Sequence, residues 1–306
     1  MTAIVQKTLF FLIIVLALLG YINSPTALLV GFTFTFFFKN PYSQYSQIAI
    51  YYLLKIAVIG LGFGMFLKET LTTSKNSFGL TSFSILLTVT LGIFLGKALK
   101  LDKKLSHLIT SGTSICGGSA IAAISPVIKA DYKAISIALS VVFFLNAIAL
   151  FVFPAAGHYF ELTQNQFGLW CAIAIHDTSS VIGATIGYGD EALRTATTVK
   201  LSRTLWIIPL SILSTFLFKT KGKKIKIPYF ILAFIAAILI NSSHLLPTNI
   251  TESIVMISKR LLVVTLFLVG SSLSVSDLKS TGFKPILFAL ILWAFISGIS
   301  LIFILY

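Results

Sequence analysis

The chain is short of charge, and of acid above all. Only 10% of its 306 residues are charged, and 9 Asp and Glu stand against 23 Lys and Arg. No polar run is long enough for a water-soluble domain, which excludes that class. Cysteine is scarce as well. Cys116 and Cys171 both lie in apolar segments, a poor setting for a disulfide and too few residues for a metal site. The four histidines are scattered without ligand spacing, and there is no Walker A sequence. No enzyme constellation, cofactor or bound metal is expected, nor ATP-driven transport by this chain alone.

What remains is apolar. With 57% hydrophobic residues the chain reads as an all-α polytopic membrane protein. The net charge of +14 is assigned to cytoplasmic loops rather than to nucleic-acid binding. The first residues, MTAIVQKTLFFLIIVLALLG, resemble a signal peptide but lack a small-residue cleavage site, so they read as a retained helix. At about 20 apolar residues per crossing, eleven spans are expected. They lie near 5–22, 24–38, 45–67, 78–97, 104–128, 133–153, 166–188, 194–218, 228–243, 252–273 and 283–305.

Basic residues fall in alternate loops. They include Lys97, Lys100, Lys103 and Lys104, then Lys219, Lys221, Lys223, Lys224 and Lys226, with Lys39, Lys279 and Lys284. The positive-inside rule then places the N-terminus in the cytoplasm and the C-terminus outside. Eleven spans divide into one extra helix (5–22) plus two inverted halves of five, 24–153 and 166–305, within one transporter domain covering 1–306. In that register span five pairs with span ten, where Val269-Gly270-Ser271-Ser272 is a second candidate break.

Chemistry concentrates at membrane depth. Span five carries SGTSICGGSAIAAISP, Ser111 to Pro126, where Gly117-Gly118 predicts a helix break. A break in the bilayer is tolerated only where protein or water satisfies its backbone. Ser114, Cys116, Gly117, Gly118 and Ser119 are therefore candidates for one half of a transport site. A small-residue packing face is the competing account. Span seven carries His176, Asp177, Thr178, Ser179 and Ser180 midway, and Asp177 is the acid found deep within a span. An ionised group there costs at least about 2.5 kcal/mol, which marks it as functional. Asp177 with His176 is the candidate for coupling to a proton or sodium ion. A hydrogen-bonded cluster that holds helices together is the alternative.

Lys200 and Arg203 share one helix face. They are candidates to pair with Asp177 or to draw an anion inward. Lys55 and Arg260 are candidate counter-charges, with snorkelling the competing account. A half-helix starting near Ser119, hydroxyls from Ser114, Ser119, Thr178, Ser179 and Ser180, and buried bases together suit a small anion. Carbonyls of the preceding half-helix would suit Na⁺.

SGTSICGGSAIAA, HDTSSVIGATIGYG and TVKLSRTLWIIPL together resemble the YeiH-type family of bacterial inner-membrane proteins, to which sulfate export is attributed. The resemblance covers nearly the whole chain. It implies a place in the cation–proton antiporter and anion transporter superfamily, and an inverted repeat whose broken helices cross near the midplane. It maps the family pattern onto Ser114, Cys116, Gly117, Gly118, Ser119, His176, Asp177, Thr178, Lys200 and Arg203. The expected function is secondary transport of a sulfate-, sulfite- or organosulfonate-like anion across the inner membrane, coupled to H⁺ or Na⁺. The partners expected are that anion, the coupling ion and the lipid bilayer, and a homo-oligomer is compatible with them. A cation–proton antiporter using Asp177 and a non-transporting membrane scaffold are the alternatives.

Overall fold

The computed structural model describes residues 3–38, 40–220, 229–272 and 282–306, and those residues are helical apart from turns and connections. Hydrophobic runs without internal proline build most elements. The helices are α1 Ala3–Leu19, α2 Ser24–Phe37, α3 Ser43–Leu61, α4 Leu67–Ala98, α5 Lys103–Ser114, α6 Gly118–Ile124 and α7 Tyr132–Tyr159. There follow α8 Gln164–Ala174, α9 Thr178–Thr185, α10 Asp190–Thr204, α11 Ile207–Phe218, α12 Tyr229–Ser242, α13 Thr248–Gly270 and α14 Phe283–Leu305. Six segments are long and apolar enough to cross a membrane: 43–64, 67–98, 133–159, 190–218, 248–270 and 283–305. Shorter apolar helices occupy 4–19, 26–37 and 230–242. This is a multi-pass membrane protein.

Spans five and seven differ from expectation. Neither crosses; each folds back on itself. A straight helix would set residues 104 and 129 about 37 Å apart. Instead Lys104 Nζ donates to the Lys129 carbonyl at 2.7 Å. Midway between them, a Cβ on Gly112 of α5 would meet Ile121 of α6 at 3.0 Å. Likewise the Tyr188 hydroxyl donates to Leu162 O at 2.7 Å, Glu191 N donates to Gln164 Oε1 at 3.1 Å, and the Phe167 and Tyr188 rings stack 3.7 Å apart. So α5–α6 and α8–α9 are helical hairpins. The long α7 joins them end to end, so they enter from opposite ends of the molecule.

The sequence carries this arrangement twice. α4 leads into the first hairpin as α7 leads into the second. Each long helix closes with a left-handed residue, Lys100 (φ 52°) and Glu161 (φ 51°), 61 positions apart. Each is followed by the same bond, Leu101 N to Gly96 O and Leu162 N to Gly157 O, both 3.0 Å. This is the Schellman closure that satisfies carbonyls at a helix end. A long helix followed by a hairpin thus occurs twice, α4 with α5–α6 and α7 with α8–α9.

The helices group into two bundles. α1, α2, α3, α12 and α13 pack on one another, as do α4 to α11 with α14. α2 and α13 approach through Gly31 and Gly270, where any Cβ would strike the facing backbone. α9 is the main bridge, touching α13 and α2. The span-ten feature lies at the end of α13. α13 runs unbroken to Gly270, and Ser271 O accepts from Thr35 Oγ1 at 2.8 Å and Asn40 Nδ2 at 3.2 Å. Ser272 is the last residue described there. Lys39, Lys221, Lys223, Lys224, Lys226 and Lys279 lie outside the described residues.

Candidate functional site

The two hairpin tips meet inside the second bundle. The first tip turns at Ile115–Gly117, between α5 and α6. Gly117 has φ +62°, and a Cβ there would lie 3.3 Å from the Asp177 Cα and backbone N. Both the left-handed backbone and the close approach require glycine. The second tip turns at Ile175–Asp177, between α8 and α9. The predicted Gly-Gly break is therefore present, and a second break at His176-Asp177 faces it.

A helix C-terminus leaves four carbonyls unpaired. In α8 each of the last four, residues 172–175, has a side-chain donor. Lys200 Nζ donates to Ala172 O at 3.2 Å and Ile175 O at 2.6 Å. Arg203 Nη1 donates to Ile173 O at 3.0 Å, and Trp293 Nε1 to Ala174 O at 3.1 Å. Arg203 Nη2 also donates to Ser114 O at the end of α5, so one guanidinium ties the two hairpins. Both cations are fully buried. They act as C-terminal caps on half-helices, where the dipole is negative. This corrects the expectation that they pair with Asp177. The ion pair among the described residues is Lys259–Asp190 at 2.6 Å.

Asn146, from the middle of α7, caps the second tip. Its Oδ1 accepts from His176 N at 3.1 Å and Asp177 N at 3.3 Å. Asp177 N-caps α9, accepting from Ser179 N at 3.0 Å and from the Ser179 hydroxyl. His176 is buried, with neither ring nitrogen bonded, and Asn146 Nδ2 and Arg203 Nε are likewise unpartnered. Asn146 and Trp293 were not singled out from sequence. The signal for Asn146 was an amide inside the apolar run VVFFLNAIALF. Trp293 carried none, since tryptophan is ordinary in a membrane span.

The candidate residues thus separate by role. Ser114 spends its hydroxyl on Ser111 O at 3.2 Å, and Cys116 is buried, as is Cys171 in α8; both thiols are free. Gly117 supplies the turn, and Ser179 is committed to Asp177. Gly118, Asp177 and Thr178 are half-buried and Ser119 is exposed. The hydroxyls of Ser119, Thr178 and Ser180 have no hydrogen-bond partner among the described residues. Gly118, Ser119, Asp177 and Thr178 form the accessible part of the tip, and Ser180 is buried. Lys55 and Arg260 are elsewhere. Lys55 sits over the Tyr51 ring at 3.3 Å, and Arg260 lies against Gly20 at the end of α1.

The fold and its tips define a polytopic helical membrane protein with two opposed hairpins meeting inside it. The chain belongs to the family described as conserved hypothetical protein 698, whose model matches residues 9–289. It is similar to a UPF0324 membrane protein of Photobacterium profundum, 52% identical across 98% of this chain and 92% of that relative. It is also similar to UPF0324 membrane proteins of Bacteroides thetaiotaomicron (46% identical, 93% of this chain and 87% of the relative) and Shewanella oneidensis (44%, 98% and 95%). No solved structure matches the chain.

Proposed function

We propose that the protein is a secondary transporter of a small anion of the sulfate, sulfite or organosulfonate kind, coupled to H⁺ or Na⁺. The observation that carries this reading is the meeting of two opposed hairpin tips around an accessible set of Gly118, Ser119, Asp177 and Thr178, with buried Ser180 in the first turn of α9. Each tip joins the negative end of one half-helix to the positive end of the next, so the dipole terms cancel. What remains is two buried bases, Lys200 and Arg203, beside one carboxylate. Free hydroxyls and the first N–H groups of α9 supply the hydrogen bonds an oxyanion needs. A proton or Na⁺ on Asp177 raises the positive potential, so coupling ion and anion bind cooperatively, each favouring the other. The α9 bridge lets one bundle move against the other and present the tips alternately to each side.

The basic residues support an orientation. Lys97, Lys100, Lys103, Lys104, Lys129, Lys133 and Lys219 gather at the end where the first hairpin enters. There Asp102 and Asp131 are spent as helix caps. Glu69, Glu161, Asp190 and Glu191 lie at the other end, where the bases Lys68, Arg194 and Lys259 are fewer. Folding the first hairpin back moves Lys129 and Lys133 to the lysine end, which sharpens the asymmetry. The lysine end is cytoplasmic by the positive-inside rule, with the N-terminus inside and the C-terminus outside the inner membrane.

The test is flux in proteoliposomes under imposed pH and Na⁺ gradients, with labelled sulfate, sulfite and a simple alkylsulfonate. Gradient-driven anion uptake that loses its pH or Na⁺ dependence in Asp177→Asn is the expected result. Na⁺–proton exchange indifferent to every anion would replace this reading with the antiporter. No flux of any kind would leave a scaffold.

A further inference from the structure

A cavity lies away from the tips, at the end of the molecule where the second hairpin enters. It has a volume of about 400 Å³ and sits between the first turns of α4 and α10, with Asn165 of α8 at its rim. Two bases and two acids line it: Lys68 and Glu69 from α4, Glu191 and Arg194 from α10. All four are exposed, and none is in an ion pair among the described residues. Its floor is polar as well. Thr198 is 3% exposed, and its hydroxyl, which has no hydrogen-bond partner among the described residues, is accessible from the cavity. Its neighbours behave otherwise: Thr197 donates to Leu193 O at 2.7 Å, and the lining residue Thr72 to Lys68 O at 2.9 Å. A hydroxyl open to the cavity is free to bond whatever occupies it.

From this geometry we infer that the cavity binds a small zwitterion, its ammonium held by Glu69 and Glu191 and its oxyanion by Lys68 and Arg194, with Thr198 beneath. The balance of two charges of each sign sets the class. A simple anion would leave both carboxylates facing it unanswered, and a simple cation both bases. The volume falls in the usual range for small-molecule sites. The floor also continues inward. One turn below Thr198, Ser202 meets Ser74 at 3.2 Å, and the buried hydroxyls of Ser77, Thr81, Ser84 and Thr88 follow along α4. Thr81 Oγ1 is itself unpartnered. The site is separate from the hairpin tips and does not depend on the transport reading.

The test is isothermal titration of the full chain in lipid nanodiscs with three probes of matched size: β-alanine, propionate and propylamine. β-Alanine should bind, and the two singly charged probes at least about tenfold more weakly. Arg194→Gln and Glu191→Gln should each weaken β-alanine about tenfold, and Thr198→Val by a smaller factor, with melting temperatures unchanged. Asp177→Asn should bind β-alanine as the parent does. Absence of β-alanine binding, equal binding of propionate, or loss of binding in Asp177→Asn alone would each overturn the proposal. The last result would place the ligand at the tips instead.

Discussion

The two hairpins have the same plan and opposite treatment. The second is closed by side chains: Lys200, Arg203 and Trp293 take the last four carbonyls of α8, Asn146 takes the N–H groups of the turn, and Asp177 caps α9. The first relies on backbone: Gly117 N donates to Gly112 O at 2.9 Å, a left-handed glycine makes the turn, Arg203 donates to Ser114 O at the tip, and Ser214 meets His107 on α5. Its next residues, Gly118 and Ser119, are left open. A hairpin whose helix-end carbonyls and turn N–H groups are all paired is rigid. One held by a glycine turn can yield to a ligand. The asymmetry assigns the second hairpin to hold the site and the first to admit the solute.

Arg203→Gln should break the comparison outright, because the guanidinium serves both hairpins. Two buried carbonyls lose their donor at roughly 1–3 kcal/mol each, so the melting temperature in detergent should fall most for this variant. Arg203→Lys should recover part of the loss, since one ammonium reaches one carbonyl but not both. Asn146→Leu should act on the second hairpin alone, through two N–H groups of similar individual cost. The two native cysteines report this, one per hairpin. Thiol labelling of the folded protein should reach Cys171 in Asn146→Leu while Cys116 stays protected.

Gly117→Ala should do the reverse. Forcing a side chain into the left-handed region costs roughly 1–2 kcal/mol, and the new Cβ presses on Asp177. Cys116 should become the faster-labelled thiol, and flux should fall more than stability does. Asp177→Asn sharpens the comparison by leaving both hairpins intact. Asparagine caps a helix about as well as aspartate, so stability should change by less than about 0.5 kcal/mol. The ion dependence of flux should disappear all the same. Lys55→Met, outside both hairpins, should leave flux as it was; an effect as large as that of Asp177→Asn would return Lys55 to the site.

The apolar runs, the glycine pair at 117–118 and the lone deep acid were legible in the sequence because each violates or satisfies the solvent's demands locally. Nothing local separated a crossing helix from a hairpin. Two half-helices and a turn use 22 residues, Lys103–Ile124, the length and hydropathy of one span. The matching helix closures were hidden for a related reason. GKALKLD and GHYFELT share a backbone closure through residues of different type, so only their glycines and leucines match.

The destiny of the buried bases was likewise not local. Lys200 and Arg203 on one face of a helix are equally consistent with a ligand, a carboxylate or a helix end. Composition and hydropathy by themselves determined that this is a multi-pass helical membrane protein broken at Gly117-Gly118 with a carboxylate at depth, since lipid permits few other uses of those residues. Which spans cross, which break faces which, and whether a buried cation answers a carbonyl or a solute were decided only by tertiary structure. Those outcomes depend on partners 30 to 90 residues away, such as Ile173 and Ser114 for Arg203, and hydropathy has no memory over that distance.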